Sequence, residues 1–321
     1  MTATFREQKR GCAFFPFPFP FPPFPFPSAR EESVLRLLAR TPATTALVRK
    51  ASETFPDGDF RNDRRVRERL QSLKNAGLVR VFPASQGVGG PVNWYRLSPS
   101  GYRLLHGPDV ALPHRSRFEA IAPSRFHHTQ TLAKVIVHTL VAAHRDCCQI
   151  PFYDGDGVAR IEVASSTLYP DCFFQFTLAG KQFNVYFEID QSTESLNTHA
   201  EQSIRTKLLH YEAYQDSLVA WSRNNAERSV RPYFRTVFLT RSQERAYHIL
   251  WLAGQCARNA DRRLVYATTQ NAFLTEPFAL QSPLFLDHHG HWQSLVNLHP
   301  SAPFLRAPVR LSRPVAPFAA V

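Results

Sequence analysis

The stretch that decides the fold runs Leu168-Tyr169-Pro170-Asp171-Cys172-Phe173-Phe174 and, a few residues on, Phe183-Asn184-Val185-Tyr186-Phe187-Glu188-Ile189-Asp190. It predicts a strand hairpin, with Pro170-Asp171 at the head of one strand and Glu188-Ile189-Asp190 at the end of the next. A helix carrying Arg205, Lys207 and Tyr211 follows at once. Alternate side chains of a strand share a face, so Glu188 and Asp190 point the same way and Asp171 can join them from the neighbouring strand. Three carboxylates facing one point suit a hard divalent cation, Mg2+ or Mn2+, which takes oxygen ligands, lowers the pKa of a bound water and screens a phosphate. The competing reading leaves these acids structural, at solvated strand ends.

Charge narrows the partner. The 321 residues, 44% of them hydrophobic, suffice for two modest domains with proper cores, and the formal net charge of +12 favours a polyanion. No apolar run is long enough to span a bilayer, so double-stranded DNA is expected rather than a membrane surface. The charge is uneven: residues 1–125 hold 20 Lys/Arg against 10 Asp/Glu, and residues 126–321 hold 18 against 16. The front third therefore carries the electrostatic footprint. Five cysteines without a Cys-x-x-Cys pair read as reduced thiols in a cytoplasmic protein.

Along the chain, residues 1–28 form an arm whose alternating Phe/Pro tract, Phe14 to Pro27, denies it helix and central-strand pairing. From Ala29 the pattern is helical, with Val34, Leu37 and Leu38 on one face; Thr41-Pro42 is expected to cap a second helix reaching about Ala51. Asn62 or Asp63 caps a third, in which Val66, Leu70 and Leu73 face inward and Gly77 marks the end. Arg61, Arg64, Arg65, Arg67, Arg69 and Lys74 decorate that helix and its start, which makes them the candidate DNA-binding residues. Leu78 to Phe82 and Val92 to Leu97 flank a glycine-rich turn as a hairpin. Three helices followed by such a hairpin is the winged helix-turn-helix order, whose third helix enters the major groove.

Residues 107–123, with three prolines, read as a linker, and a helix from about Ser124 to His144 opens a second domain, residues 124–299. After the carboxylate hairpin come a helix from Ser203 to Trp221, a strand from Phe234 to Thr240, a helix beginning near Arg241-Ser242 with Arg245 as a candidate phosphate contact, and a last strand, Leu264 to Thr268. Asp287-His288-His289-Gly290-His291 looks like metal-ligand material, yet it lies near a loop with no partnering cysteine. The tail from residue 300 to 321 is Pro-rich.

Helix, hairpin with Pro-Asp and Glu-x-Asp, helix, strand, helix, strand resembles the PD-(D/E)xK restriction-endonuclease-like core. Joined to a winged helix at residues 29–106, it resembles more closely the plasmid replication-relaxation protein family, over roughly residues 31–296. The resemblance implies an α/β fold with a central mixed sheet and a catalytic set of Asp171, Glu188, Asp190 and Lys207, the three acids holding the cation. It also implies a family histidine at His127 or His128. One departure stands out: the nuclease pattern has Lys two residues after the second acid, where this chain has Asp190, and Lys207 lies where a lysine moved to the following helix would reach back. Two functions follow. One is a DNA-binding protein of plasmid or mobile-element replication, relaxation or mobilisation that is also a metal-dependent nuclease. The other is a non-enzymatic accessory factor that recruits replication or mobilisation proteins, its nuclease-like domain degenerate; either can act as a homodimer on a palindrome. The family name also suggests a relaxase with paired histidines and a nucleophilic tyrosine, but His289-Gly290-His291 lacks the hydrophobic residue such a strand needs. The absence of a Gly-x-x-x-x-Gly-Lys-Ser/Thr loop leaves a nucleotide-driven motor without support.

Overall fold

The computed structural model describes residues 27–84, 91–155, 159–163, 166–192, 194–196, 203–224, 233–297 and 311. The Phe/Pro arm before Pro27 and the Pro-rich tail, Leu311 apart, lie outside the described residues.

Helix α1 (Ala29–Arg40) begins at a capping box: the Ser28 hydroxyl accepts from Glu31 N–H and the Glu31 carboxylate accepts from Ser28 N–H. Two residues, Ala43–Thr44, form β1, and α2 (Thr45–Ala51) follows. Thr44, not Thr41, is the cap of α2, taking the Leu47 N–H on its hydroxyl. The residues expected to open that helix are instead drawn into a sheet, with Ala43 paired to Tyr95. Helix α3 (Asp63–Asn75) starts at Asn62, whose side chain accepts the Arg65 N–H, and stops at Gly77, held at φ +71°. The hairpin β2 (Val79–Ala84) and β3 (Val92–Leu97) completes a three-stranded sheet in the order β1-β3-β2. Val34, Leu38, Val48, Val66, Leu70 and Tyr95 share one core beneath it, the arrangement of a winged helix. Helix α4 (Pro99–His106), capped by Ser98, packs against α1. A Cβ on Gly101 would come within 2.3 Å of the Leu78 carbonyl oxygen, so glycine is what lets α4 sit this close.

The second unit is a three-layer α/β fold. It is built from α5 (Phe126–Arg145), β4 (Gln149–Asp154), the small pair β5 (Ile161–Val163) and β6 (Ser166–Leu168), then β7 (Cys172–Leu178) and β8 (Lys181–Ile189). Next come α6 (Ile204–Asn224), β9 (Phe234–Thr240), α7 (Gln243–Cys256), β10 (Val265–Thr269), α8 (Gln270–Thr275), β11 (Phe285–Asp287) and β12 (Trp292–Gln293). The main sheet runs β12-β11-β10-β9-β8-β7-β4 and is mixed: β4, β7 and β8 form an antiparallel meander, and β9 lies parallel to β8 across the α6 crossover. Alternation divides its side chains. Phe174, Phe176, Val185, Phe187 and Ile189 face Leu132, Val135 and Ile136 of α5 and Phe273 of α8. Tyr186, Phe234 and Phe238 face Leu208 and Tyr211 of α6 and Ile249 of α7. The unit is thus an α/β core with a mixed central sheet between two helical layers, the layering expected of it, and it is preceded by a winged helix.

The prolines of 107–123 do not make a free spacer. The segment holds a 3-10 turn, Arg115–Phe118, with Phe118 buried, and it is fastened to the winged helix: Arg80 donates to Phe118 O, Arg96 to Ser116 O and Arg117 to Ala39 O. The two units are themselves packed together. Val137 of α5 lies in the winged-helix core, Arg145 pairs with Glu53, and Arg40 meets Asp154 at 3.0 Å while its guanidinium covers the Tyr153 ring. A Cβ on Gly155 would fall 2.1 Å from the Arg40 carbonyl oxygen, a contact only glycine permits.

His138 of α5 closes the junction. Its Nδ1 accepts from the Lys50 ammonium of α2 and its Nε2–H donates to the Glu276 carbonyl, both at 3.0 Å. Burial, then the Lys50 charge, lowers its pKa from 6.5 to about 4. A folded-state pKa below the unfolded one gives stability that is complete above pH 6.5 and lost as pH falls through 4. Denaturation at pH 7 and pH 4 should therefore show a loss of about 3 kcal/mol from this group, and His138→Gln should remove that component of the pH profile.

Candidate functional site

The β7–β8 hairpin sets the site. Its two-residue loop, Ala179-Gly180, has φ of 46° and 73°, the left-handed pair that a tight hairpin needs, and it fixes Cys172 opposite Phe187. One residue further, Asp171 comes opposite Glu188, and residues directly opposed in a sheet share a face. The Asp171 carboxylate is anchored there: Oδ2 accepts the Ile189 N–H at 2.6 Å and Oδ1 lies 3.0 Å from Nε2 of His128. Of the two histidines at the start of α5, His128 thus turns to the site, while His127 is exposed.

Glu188 is 2% exposed. Its Oε1 takes the Tyr211 hydroxyl at 2.6 Å and its Oε2 takes the Lys207 ammonium at 2.9 Å, both from α6. Tyr211 and Lys207 lie four residues apart and so project from one face of that helix. Lys207 also donates to Glu194 at 2.8 Å, from the loop that follows β8. Burial pushes the Glu188 carboxyl up, against the Lys207 charge and the Tyr211 hydrogen bond, and Asp171 adds to the rise. Burial alone would lower Lys207, but Glu188, Glu194 and Asp171 outweigh it, and its pKa moves above the ordinary lysine value. The ammonium stays charged at neutral pH.

Asp190 departs from expectation. It shares the Glu188 side of the sheet, but its carboxylate is taken by Arg245 of α7, Nε to Oδ2 at 2.9 Å and Nη2 to Oδ1 at 3.1 Å. A fork-to-carboxylate pair of this kind fixes both partners, so Asp190 orients α7 instead of joining a third ligand to Asp171 and Glu188. The same Arg245 donates to Glu194 O, so it closes the loop over Lys207 and is not a bare phosphate contact. Among the described residues no group of three His, Cys, Asp or Glu side chains comes together as a metal site. Asp171 and Glu188 remain as two carboxylates with Lys207 beside them. Two is the number Mg2+ commonly takes from protein when a phosphate and waters complete its shell.

The Asp287–His291 segment is a turn instead: the Asp287 carboxylate accepts the N–H groups of His289 and His291, and its second oxygen takes the Gln293 amide.

On the winged helix, α3 buries Val66, Leu70 and Leu73 and leaves Arg64, Arg65, Arg67, Arg69 and Lys74 exposed, with Arg61 exposed just before it. The face is not uniformly bare: Arg64 and Arg65 both lean on Glu68, and Arg69 pairs with Glu31 of α1.

The profile of the replication-relaxation family matches residues 35–229, more than half of the chain. The chain belongs to this family. The match ends after α6, so it takes in the winged helix, the carboxylate hairpin and Lys207. No match was found among curated proteins. Among solved structures, Bacillus subtilis PadR in complex with operator DNA is similar at 14% identity, covering 36% of this chain and 69% of PadR, with a TM-score of 0.22. The restriction endonuclease FokI is similar at 10% identity over 78% of this chain and 43% of its own, TM-score 0.28, and FokI bound to DNA at 9% over 77% and 44%, TM-score 0.26. The chain spans less than half the length of FokI. Among the described residues no helix is long and apolar enough to cross a membrane.

Removing the cation from a buried cluster leaves uncompensated charge, which costs about 3–5 kcal/mol. Lys207→Met should lose that much stability in urea unfolding at pH 7.5, and the double variant Lys207→Met with Glu188→Gln should recover a large part of it. Equal losses in both variants would show that the ion pair is not what Lys207 supplies.

Proposed function

We propose that this replication-relaxation family member binds double-stranded DNA of a plasmid or other mobile element through its winged helix and offers a phosphodiester to a nuclease-type centre of Asp171, Glu188 and Lys207. The observation that carries the reading is the 2.9 Å approach of Lys207 to Glu188. It puts a lysine from the following helix beside the carboxylate pair, where the strand position after Glu188 holds an aspartate. Lys207 would steady charge developing on a phosphate oxygen, and Tyr211 would hold Glu188 in place. Asp171 and Glu188 would hold Mg2+ or Mn2+ when it is bound, which would supply a polarised phosphoryl oxygen and an activated water. The net excess of ten positive charges before residue 126, with the arginines of α3 exposed, favours duplex binding by the front unit.

A second reading has its own observation. Both oxygens of Glu188 and both of Asp190 are already engaged by Tyr211, Lys207 and Arg245, a state that suits an accessory factor whose core only positions replication or mobilisation proteins.

Two measurements test these readings. Alanine at Arg64, Arg65 and Arg67 together should weaken duplex retention and flatten its salt dependence by roughly two to three in log–log slope; unchanged retention at every salt would remove α3 from the groove. Purified protein with Mn2+ and supercoiled or single-stranded DNA should cleave, and both Asp171→Ala and Glu188→Ala should abolish cleavage. No cleavage, with no Mn2+ heat lost in Glu188→Ala calorimetry, favours the accessory reading.

A further inference from the structure

Between the winged helix and the start of the core lies a cleft of about 510 Å3 that neither α3 nor the Glu188 centre uses. Four arginines from four segments line it: Arg40 at the end of α1, Arg96 on β3, Arg117 in the 3-10 turn and Arg125 just before α5. Among the described residues its walls hold no aspartate or glutamate. Arg96 and Arg117 are oriented by donating to the backbone carbonyls of Ser116 and Ala39. Asp154, behind the wall, pairs with Arg40 and is also felt by Arg117. Arg125 is exposed at the rim. Cationic side chains lining one concavity whose wall has no carboxylate favour an anion, and one with several oxygens can use their planar donors. The cleft also lies beside the carboxylate centre along the chain: Arg125 and Thr129 of its wall flank His128, whose ring meets Asp171.

We propose that this arginine cleft is a phosphate-binding subsite that seats the backbone of a nucleic-acid strand between the winged helix and the Asp171–Glu188–Lys207 centre. The proposal rests on the DNA-binding reading above and adds to it a second contact, separate from α3. The shared chemistry is a phosphate with two or more free oxygens, whether in a strand or in a small free ligand.

Inorganic pyrophosphate titrated calorimetrically into the full chain probes the cleft without duplex. Binding should be seen, should fall at least tenfold in Arg125→Ala with Arg117→Gln, and should be unchanged in Arg65→Ala with Arg67→Ala. Glutamine keeps a donor for Ala39 O, and the exposed Arg125→Ala alone serves if the double variant melts early. In parallel, fluorescence anisotropy with a labelled duplex across a salt series should show a slope lower by about two in the cleft variant. No pyrophosphate binding by the wild type, or binding that survives the cleft variants, overturns the subsite. Cleft-dependent pyrophosphate binding with an unchanged duplex slope overturns the nucleic-acid assignment in favour of a free phosphate ligand. Wild-type protein that binds pyrophosphate but no duplex sinks the DNA reading and the strand-seating role with it. Duplex binding weakened by the α3 variant alone sinks only the cleft.

Discussion

A glutamate left only 2% exposed cannot keep a charge by itself, and the helices over its face of the sheet are arranged around that constraint. Lys207 answers it from α6, and Tyr211, one turn along the same helix, satisfies the other oxygen. For both to reach, α6 must lie over β8 with a fixed rotation, and Leu208 and Ile204 pack into the sheet to hold it there. A second pair, Arg245 with Asp190, does the same for α7 two residues further along the strand. The two helices of this layer are therefore each keyed to β8 by one ion pair. Apolar packing alone would allow each helix to slide; a directional polar contact in a dry setting does not.

The sheet supplies the remaining order. The β7–β8 turn determines which residue of β7 lies opposite Glu188, and a slip of one residue would carry Asp171 to the other face. Ala179 holds a left-handed conformation in that turn without glycine's freedom, and the strand pairing on either side must outweigh the strain. On the opposite face, α5 spans from the carboxylate hairpin, through His128, to the winged helix, through Val137 and His138. One helix thus belongs to both units.

The faces were legible in the sequence and the partners were less so. Alternation along Phe183–Asp190 shows that Glu188 and Asp190 lie on one side, and the position of Lys207 on the next helix shows that it can return to the strand. Periodicity says nothing of what waits above that side: Arg245 lies 55 residues from Asp190, and only the fold brings them together. Glu194 sits in a loop with no pattern, and the role of the Tyr211 hydroxyl was hidden because a tyrosine among Leu208 and Tyr214 reads as packing. Thr41-Pro42 has the local chemistry of a helix start, and a non-local pairing of Ala43 with Tyr95 overrides it. Prolines in 107–123 suggested a spacer, while the Phe118 and Ser116 carbonyls of its 3-10 turn accept from Arg80 and Arg96 of the winged helix.

The backbone contact at Gly155 has a consequence for how such a molecule would measure DNA. With no Cβ between it and the Arg40 carbonyl, and with Arg40, Lys50 and Glu53 each tied across the same seam, the winged helix has no hinge there about which to swing. A duplex gripped by α3 would meet the core at one angular phase of the double helix. Any adjustment between the gripped sequence and the bond presented to Lys207 would have to come from bending or twisting of the nucleic acid, whose stiffness would then set the tolerance.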